Sequence, residues 1–82
     1  MQPTIELITE IFAELLKRPE LKLVMTDSPN TVDGWDSLTH PELITAIEEK
    51  LDIDFDFKEL ASIKNIADLV SLTEAKRNIS GK

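Results

Sequence analysis

Cysteine is absent from this chain of 82 residues. That excludes a disulfide framework, a thiolate metal site and a thiol nucleophile of the chain's own. Glycine occurs only twice and histidine once, and no low-complexity tract interrupts the sequence. Basic residues are few: nine Lys and Arg stand against sixteen Asp and Glu, for a formal charge of −7. Such a balance repels a phosphate backbone and excludes nucleic-acid binding. It favours capture by a partner that carries a basic patch. Long apolar runs are also missing. Nothing approaches the roughly 20 apolar residues of a membrane span, and Met1-Gln2-Pro3-Thr4 has neither the basic start nor the apolar stretch of a secretion signal. A cytoplasmic monomer is expected, on which the glycosylation sequon Asn78-Ile79-Ser80 is fortuitous.

The remaining pattern is helical. Ile5, Ile8, Phe12, Leu15 and Leu16 share one face of a helix from about Pro3 to Lys17, with Pro19 expected to stop it. Residues 18–36 lack periodicity and are punctuated by Pro19, Pro29, Asn30 and Gly34, with Leu21, Leu23, Val24 and Met25 as expected core anchors. A second helix is expected from Ser37 or Thr39 to Leu51, with Leu38, Ile44, Ile47 and Leu51 inward, Leu43 beside them, and Glu42, Glu48 and Glu49 outward. Asp56-Phe57-Lys58-Glu59 has the form of a capping box opening a short helix to Ala61 or Ser62. Asn65 is a plausible N-cap for a last helix whose inner face is Ile66, Leu69, Val70 and Thr73. The expectation is an all-α fold in one domain over 1–82. Three main helices and one short one form a bundle with a long first loop, a core over about 4–76 and a frayed tail at 77–82. At this length only about 60% of the unfolded surface is buried, so the core is thin.

The most informative segment is Asp33-Gly34-Trp35-Asp36-Ser37-Leu38, which ends the long loop ahead of the second helix. It presents one hydroxyl at a loop-to-helix junction, beside a carboxylate and with no base of its own except His40, three residues on. No strand-turn-helix elbow surrounds Ser37, and a nucleophilic serine needs a base and an oxyanion hole. Taken alone, Ser37 reads as a plain N-cap. Trp35 reads as a partly buried loop anchor, His40 as a surface residue, and Phe12, Phe55 and Phe57 as core or rim. Asp52, Asp54 and Asp56 alternate like a calcium loop but lack its glycine and terminal glutamate, so they read as solvent-facing.

Asp36-Ser37-Leu38 at mid-chain, followed by Glu42-Leu43-Ile44, Ile47-Glu48-Glu49 and Leu51-Asp52-Ile53-Asp54-Phe55, resembles the acyl carrier protein family and its peptidyl-carrier relatives. The resemblance spans about residues 4–76. It implies that Ser37 receives 4′-phosphopantetheine from coenzyme A through a phosphopantetheinyl transferase, and that the arm's thiol holds an acyl or aminoacyl thioester. The chain would then be a carrier and not an enzyme. Asp36 would engage the transferase, while Leu38, Glu42, Glu48 and Glu49 would dock onto basic patches of loading ligases and downstream acyl-processing enzymes. A helix N-terminus at Ser37 would favour the phosphodiester charge. Thr39 and Thr45 stand where housekeeping fatty-acid carriers have an acid and an apolar residue, and Trp35 where they have a small one, which resembles free-standing carriers of specialised pathways. Pro41 predicts an irregular or delayed start to the second helix, with Thr39-His40-Pro41-Glu42 as its own capping box. The rival reading is an unmodified acidic interaction module.

Overall fold

The computed structural model describes residues 3–80, with side chains through residue 77. Among them are α1 (Thr4–Leu16), α2 (His40–Leu51), α3 (Phe57–Ala61) and α4 (Ile66–Ser80), and no strand. The architecture is all-α, as the periodicity predicts.

The α1 helix buries Ile8, Ile11 and Phe12, with Ile5, Leu15 and Leu16 packed against the same core, and it contacts both α2 and α4. Its end comes earlier than Pro19. Lys17 adopts the left-handed conformation at φ 59°, and the Arg18 N–H reaches back to the Ala13 carbonyl at 2.8 Å. That reversal satisfies carbonyls the helix would otherwise leave open, so termination is a backbone event and Pro19 merely follows it.

The long loop enters the core through Leu23, Val32 and Trp35. Val24 and Met25, expected as anchors, are instead 57% and 47% exposed. Their segment acts through its backbone: the carbonyls of Asp27 and Met25 accept the N–H groups of Ile66 and Ala67 at 2.8 and 2.9 Å. These are first-turn donors of α4, which have no acceptor within their own helix. Asn65 completes the start as expected, its Oδ1 accepting from the Asp68 N–H at 2.9 Å.

At its other end α4 runs to Ser80, so residues 77–80, read as tail, are helical. The reason lies in composition and contacts. Glu74, Ala75, Lys76 and Arg77 are good helix formers, Lys76 Nζ meets Glu59 Oε1 at 2.8 Å, and Arg77 Nη1 reaches Thr4 Oγ1 at 3.4 Å. Gly81 and Lys82 lie outside the described residues, as do the side chains of the sequon.

The short α3 opens with the expected capping box. Asp56 Oδ1 accepts from the Glu59 N–H at 2.8 Å, and Glu59 Oε1 accepts from the Asp56 N–H at 2.9 Å. The same Glu59 oxygen holds Lys76, which keeps the Glu59 carboxyl below its ordinary pKa and raises that of Lys76. Asp52 and Asp54 are exposed as expected, Asp52 closing α2 in the left-handed region at φ 58°. Phe55 is buried, but Phe57 is neither core nor rim: it stands 87% exposed at the first position of α3.

One core position is chemically mismatched. Thr73 is fully buried and its hydroxyl has no hydrogen-bond partner among the described residues. An orphaned hydroxyl in an apolar core costs free energy that an isosteric methyl does not. Thr73→Val is therefore expected to stabilise the fold by about 1–2 kcal/mol. Urea unfolding checks it: the midpoint should rise at an unchanged slope.

Candidate functional site at the start of the second helix

Residues 34–40 form a closed turn around Ser37. Gly34 sits at φ 93°, and a β-carbon there would lie 3.2 Å from Leu16 Cδ2. This turn sends Trp35 inward. Asp36 Oδ1 then accepts from the N–H groups of Leu38 and Thr39 at 2.9 and 3.0 Å. In return, Thr39 Oγ1 accepts from the Asp36 N–H at 3.0 Å and donates to the Gly34 carbonyl. The two N–H bonds, Thr39 first, hold the Asp36 carboxyl below its ordinary pKa.

The first regular helical bond follows, from the His40 N–H to the Asp36 carbonyl at 2.8 Å. The assigned helix begins at His40, with Pro41 in its first turn. Proline has no N–H for the Ser37 carbonyl and would crowd it in a regular helix. The delayed start expected from Pro41 is thus present. Its cap is different. Thr39 makes no side-chain cap to α2, because its hydroxyl is bonded to Gly34 and Asp36 instead.

Trp35 is 2% exposed, more deeply anchored than expected. Its ring meets Phe12 edge-on with centroids 5.1 Å apart. Its Nε1–H donates to His40 Nδ1 at 2.9 Å. The indole and imidazole planes differ by only 19° with centroids 6.0 Å apart, a spacing that suits this in-plane N–H···N bond better than face-on stacking. His40 is therefore not a plain surface residue. It is half-buried, and burial lowers its pKa below 6.5. Because Nδ1 accepts, the neutral ring carries its proton on Nε2. No imidazole lone pair remains for the Ser37 hydroxyl, which removes the hydrolase reading.

Ser37 is exposed, and its hydroxyl has no hydrogen-bond partner among the described residues. It is not the N-cap that a lone serine suggests. Asp36, Ser37, His40, Pro41, Pro29 and Ile63 border an open cleft of about 360 Å³. The expectation that helix N–H groups would receive an anion at Ser37 is narrowed. The N–H groups of Leu38, Thr39 and His40 already have acceptors within the turn and Pro41 has none to offer, which leaves those of Ser37 itself and Glu42.

Of the expected docking residues, Leu38 stands 80% exposed, which also removes it from the inward stripe of α2. Leu43, fully buried, takes the central place beside Ile44 and Ile47. Glu42 and Glu49 point outward and, with Thr45 and Pro41, edge a shallow groove of about 460 Å³ floored by Leu15 and Ala46. Glu48 departs from them. It is half-buried, and its Oε2 accepts from the Phe55 N–H at 2.9 Å, tying the connector after α2 back onto that helix. Helical spacing places Glu48 on the outer face, and its acceptor role depends on a chain reversal that periodicity does not reveal.

The Ser37 hydroxyl thus stands free on a hydrogen-bonded turn, beside a cleft and next to an acidic helix. The family model described as phosphopantetheine attachment site matches residues 6–73. A solution structure of holo acyl carrier protein from Geobacter metallireducens superposes with a TM-score of 0.87 at 34% identity, covering 99% of this chain and 95% of that one. No curated protein matches. The chain belongs to the acyl carrier protein family: it is a carrier with a covalently attached 4′-phosphopantetheine arm, and not an enzyme. Membership implies a phosphopantetheinyl transferase and acyl-processing enzymes as partners. Among the described residues no helix is long and apolar enough to cross a membrane.

Proposed function

We propose that Ser37 is the attachment point and that the chain presents acyl or aminoacyl thioesters in a specialised pathway. The observation that carries the first part is the Ser37 hydroxyl itself, exposed, unbonded and fixed by the turn around it. The site fits the arm. Its linkage would leave through the open side of a cleft bounded by Pro29, Pro41 and Ile63. The Asp36 carboxylate is turned to the Leu38 and Thr39 N–H groups, which offsets part of its repulsion toward a phosphodiester. In attachment, the Ser37 oxygen bonds the phosphorus that bears pantetheine, the pyrophosphate link of coenzyme A breaks, the adenosine bisphosphate leaves, and the hydroxyl proton passes to the transferase. When bound, the arm supplies a thiol that holds cargo as a thioester.

Asp36 then serves twice, fixing the turn and offering an acid to the transferase. Leu38, Glu42 and Glu49 form an apolar point and an acidic edge suited to a basic partner surface, and Glu48 ties the connector after α2 to that helix. The pathway assignment rests on Thr39, Thr45 and Trp35. Thr39 ties the turn and Thr45 lines the docking groove without adding an acid or an apolar contact.

The test is intact-mass measurement after incubation with coenzyme A, magnesium and a broad-specificity transferase. One phosphopantetheine should be gained, and proteolytic mapping should place it on the peptide containing Ser37. A folded chain that gains no mass, or gains it elsewhere, overturns the assignment. For the pathway, the holo chain should be a poor substrate for fatty-acid elongation enzymes that turn over a housekeeping carrier, and equal rates would refute it.

A further inference from the structure

A phosphodiester on Ser37 places one negative charge at the mouth of the cleft. The three backbone donors directly after Ser37 are already committed, to the Asp36 side chain for Leu38 and Thr39 and to the Asp36 carbonyl for His40. Pro41 lacks an N–H. The side-chain donor that borders the same cleft is His40, one helical turn on. Trp35 decides which imidazole nitrogen is available. Its buried Nε1–H donates to Nδ1 at 2.9 Å, so the proton of the neutral ring resides on Nε2, the edge turned away from the indole.

We propose that His40 is a positioning residue for the arm: its Nε2–H donates to a non-bridging phosphate oxygen on Ser37, with Trp35 fixing the tautomer that makes this possible. The inference rests on the reading that Ser37 carries the arm, and it deepens that reading. It gives Trp35 a second consequence besides filling the core. The indole holds the imidazole in one plane, and the imidazole holds the root of the arm to one side of α2. The arm would then leave the protein in a restricted direction.

The charged surroundings of His40 are simple. Asp36 from the loop shares the cleft, while Pro29 of the loop and Ile63 of the connector before α4 bring no charge, and neither does Phe12 of α1 behind Trp35. In the apo chain burial favours the neutral ring. A phosphodiester within hydrogen-bond reach favours the cation, so the His40 midpoint should rise on modification.

Nuclear magnetic resonance on apo and holo protein tests this, with intact mass reporting the modification separately. Imidazole 15N shifts of the apo chain should show the Nε2–H tautomer. The His40 midpoint should rise by about 0.5–1 pH unit in the holo chain. The 31P shift of the holo chain should titrate with that same midpoint, and the step should vanish in His40→Gln. A chain of confirmed holo mass whose His40 midpoint equals the apo value overturns the proposal. So does a 31P step that survives in His40→Gln. A chain that gains no mass instead sinks the attachment at Ser37, and this role with it. The wild-type comparison needs no variant, so if His40→Gln misfolds, the apo and holo midpoints alone decide the matter.

Discussion

Ser37→Ala should abolish every gain of mass on treatment with coenzyme A and a transferase while changing the stability of the fold by no more than about 0.5 kcal/mol. The two halves of this result come from one geometric fact. The Ser37 side chain is exposed and bonds nothing within the described protein, so its removal leaves no buried group unpaired and no cavity. Had Ser37 been the cap of α2, its loss would cost about 1 kcal/mol. The capping work is done instead by Asp36, whose carboxylate holds two N–H groups of the turn. Asp36→Ala is therefore the informative partner: it should lower stability where Ser37→Ala does not. An unmodified interaction module of the same charge would tolerate Ser37→Ala in every binding assay. A carrier would lose all downstream acyl transfer. Retained thioester loading in Ser37→Ala would refute attachment there, and a stability loss of about 1 kcal/mol or more would refute the picture of a free hydroxyl.

Much of this arrangement can be read from the chain alone, and the exceptions share a cause. Helix spacing identifies α1, α2 and α4, and the Asp56–Glu59 and Asn65–Asp68 pairs mark two helix starts, because each signal lies within a few consecutive residues. Pro41 announces the delayed start of α2 for the same reason. What spacing does not reveal is where a polar atom finds its partner across a reversal of the chain. Glu48 looks like any outward acid until Phe55 returns its N–H to it. Thr39 looks like a cap until the turn brings Gly34 within reach. Val24 and Met25 look like anchors, but the carbonyls of Met25 and Asp27 matter more than either apolar side chain, since α4 needs acceptors at its start. His40 is the most consequential case. A lone histidine on a polar helix start gives no hint of a buried indole on its Nδ1. The spacing of Trp35 and His40, five residues across a tight turn, could have prompted the question.

Trp35→Ala is the substitution expected to cost most, about 3–5 kcal/mol. The indole is nearly fully buried, edge-on to Phe12, and is the largest side chain in a thin core. Small domains have total stabilities near the lower end of about 5–15 kcal/mol, so this loss would leave the chain close to unfolding at ambient temperature. A conservative variant separates packing from bonding. Trp35→Phe keeps an aromatic edge against Phe12 but removes the donor to His40, and should cost roughly 1–3 kcal/mol. Acidity provides an independent check. His40 has a folded pKa depressed by burial, so the unfolded chain binds the proton more readily. Stability from this residue is complete above pH 6.5 and is lost as pH falls from there through the folded value. The protonated ring donates from both nitrogens and cannot accept the indole N–H. The difference in stability between wild type and Trp35→Phe should therefore narrow as the solution is acidified below pH 6.5. Denaturant unfolding of both proteins across that range measures it. A gap that stays constant would show that the Trp35–His40 bond contributes nothing to the fold. A Trp35→Ala chain within about 1 kcal/mol of wild type would remove the indole from its place as the anchor of the loop that delivers Ser37.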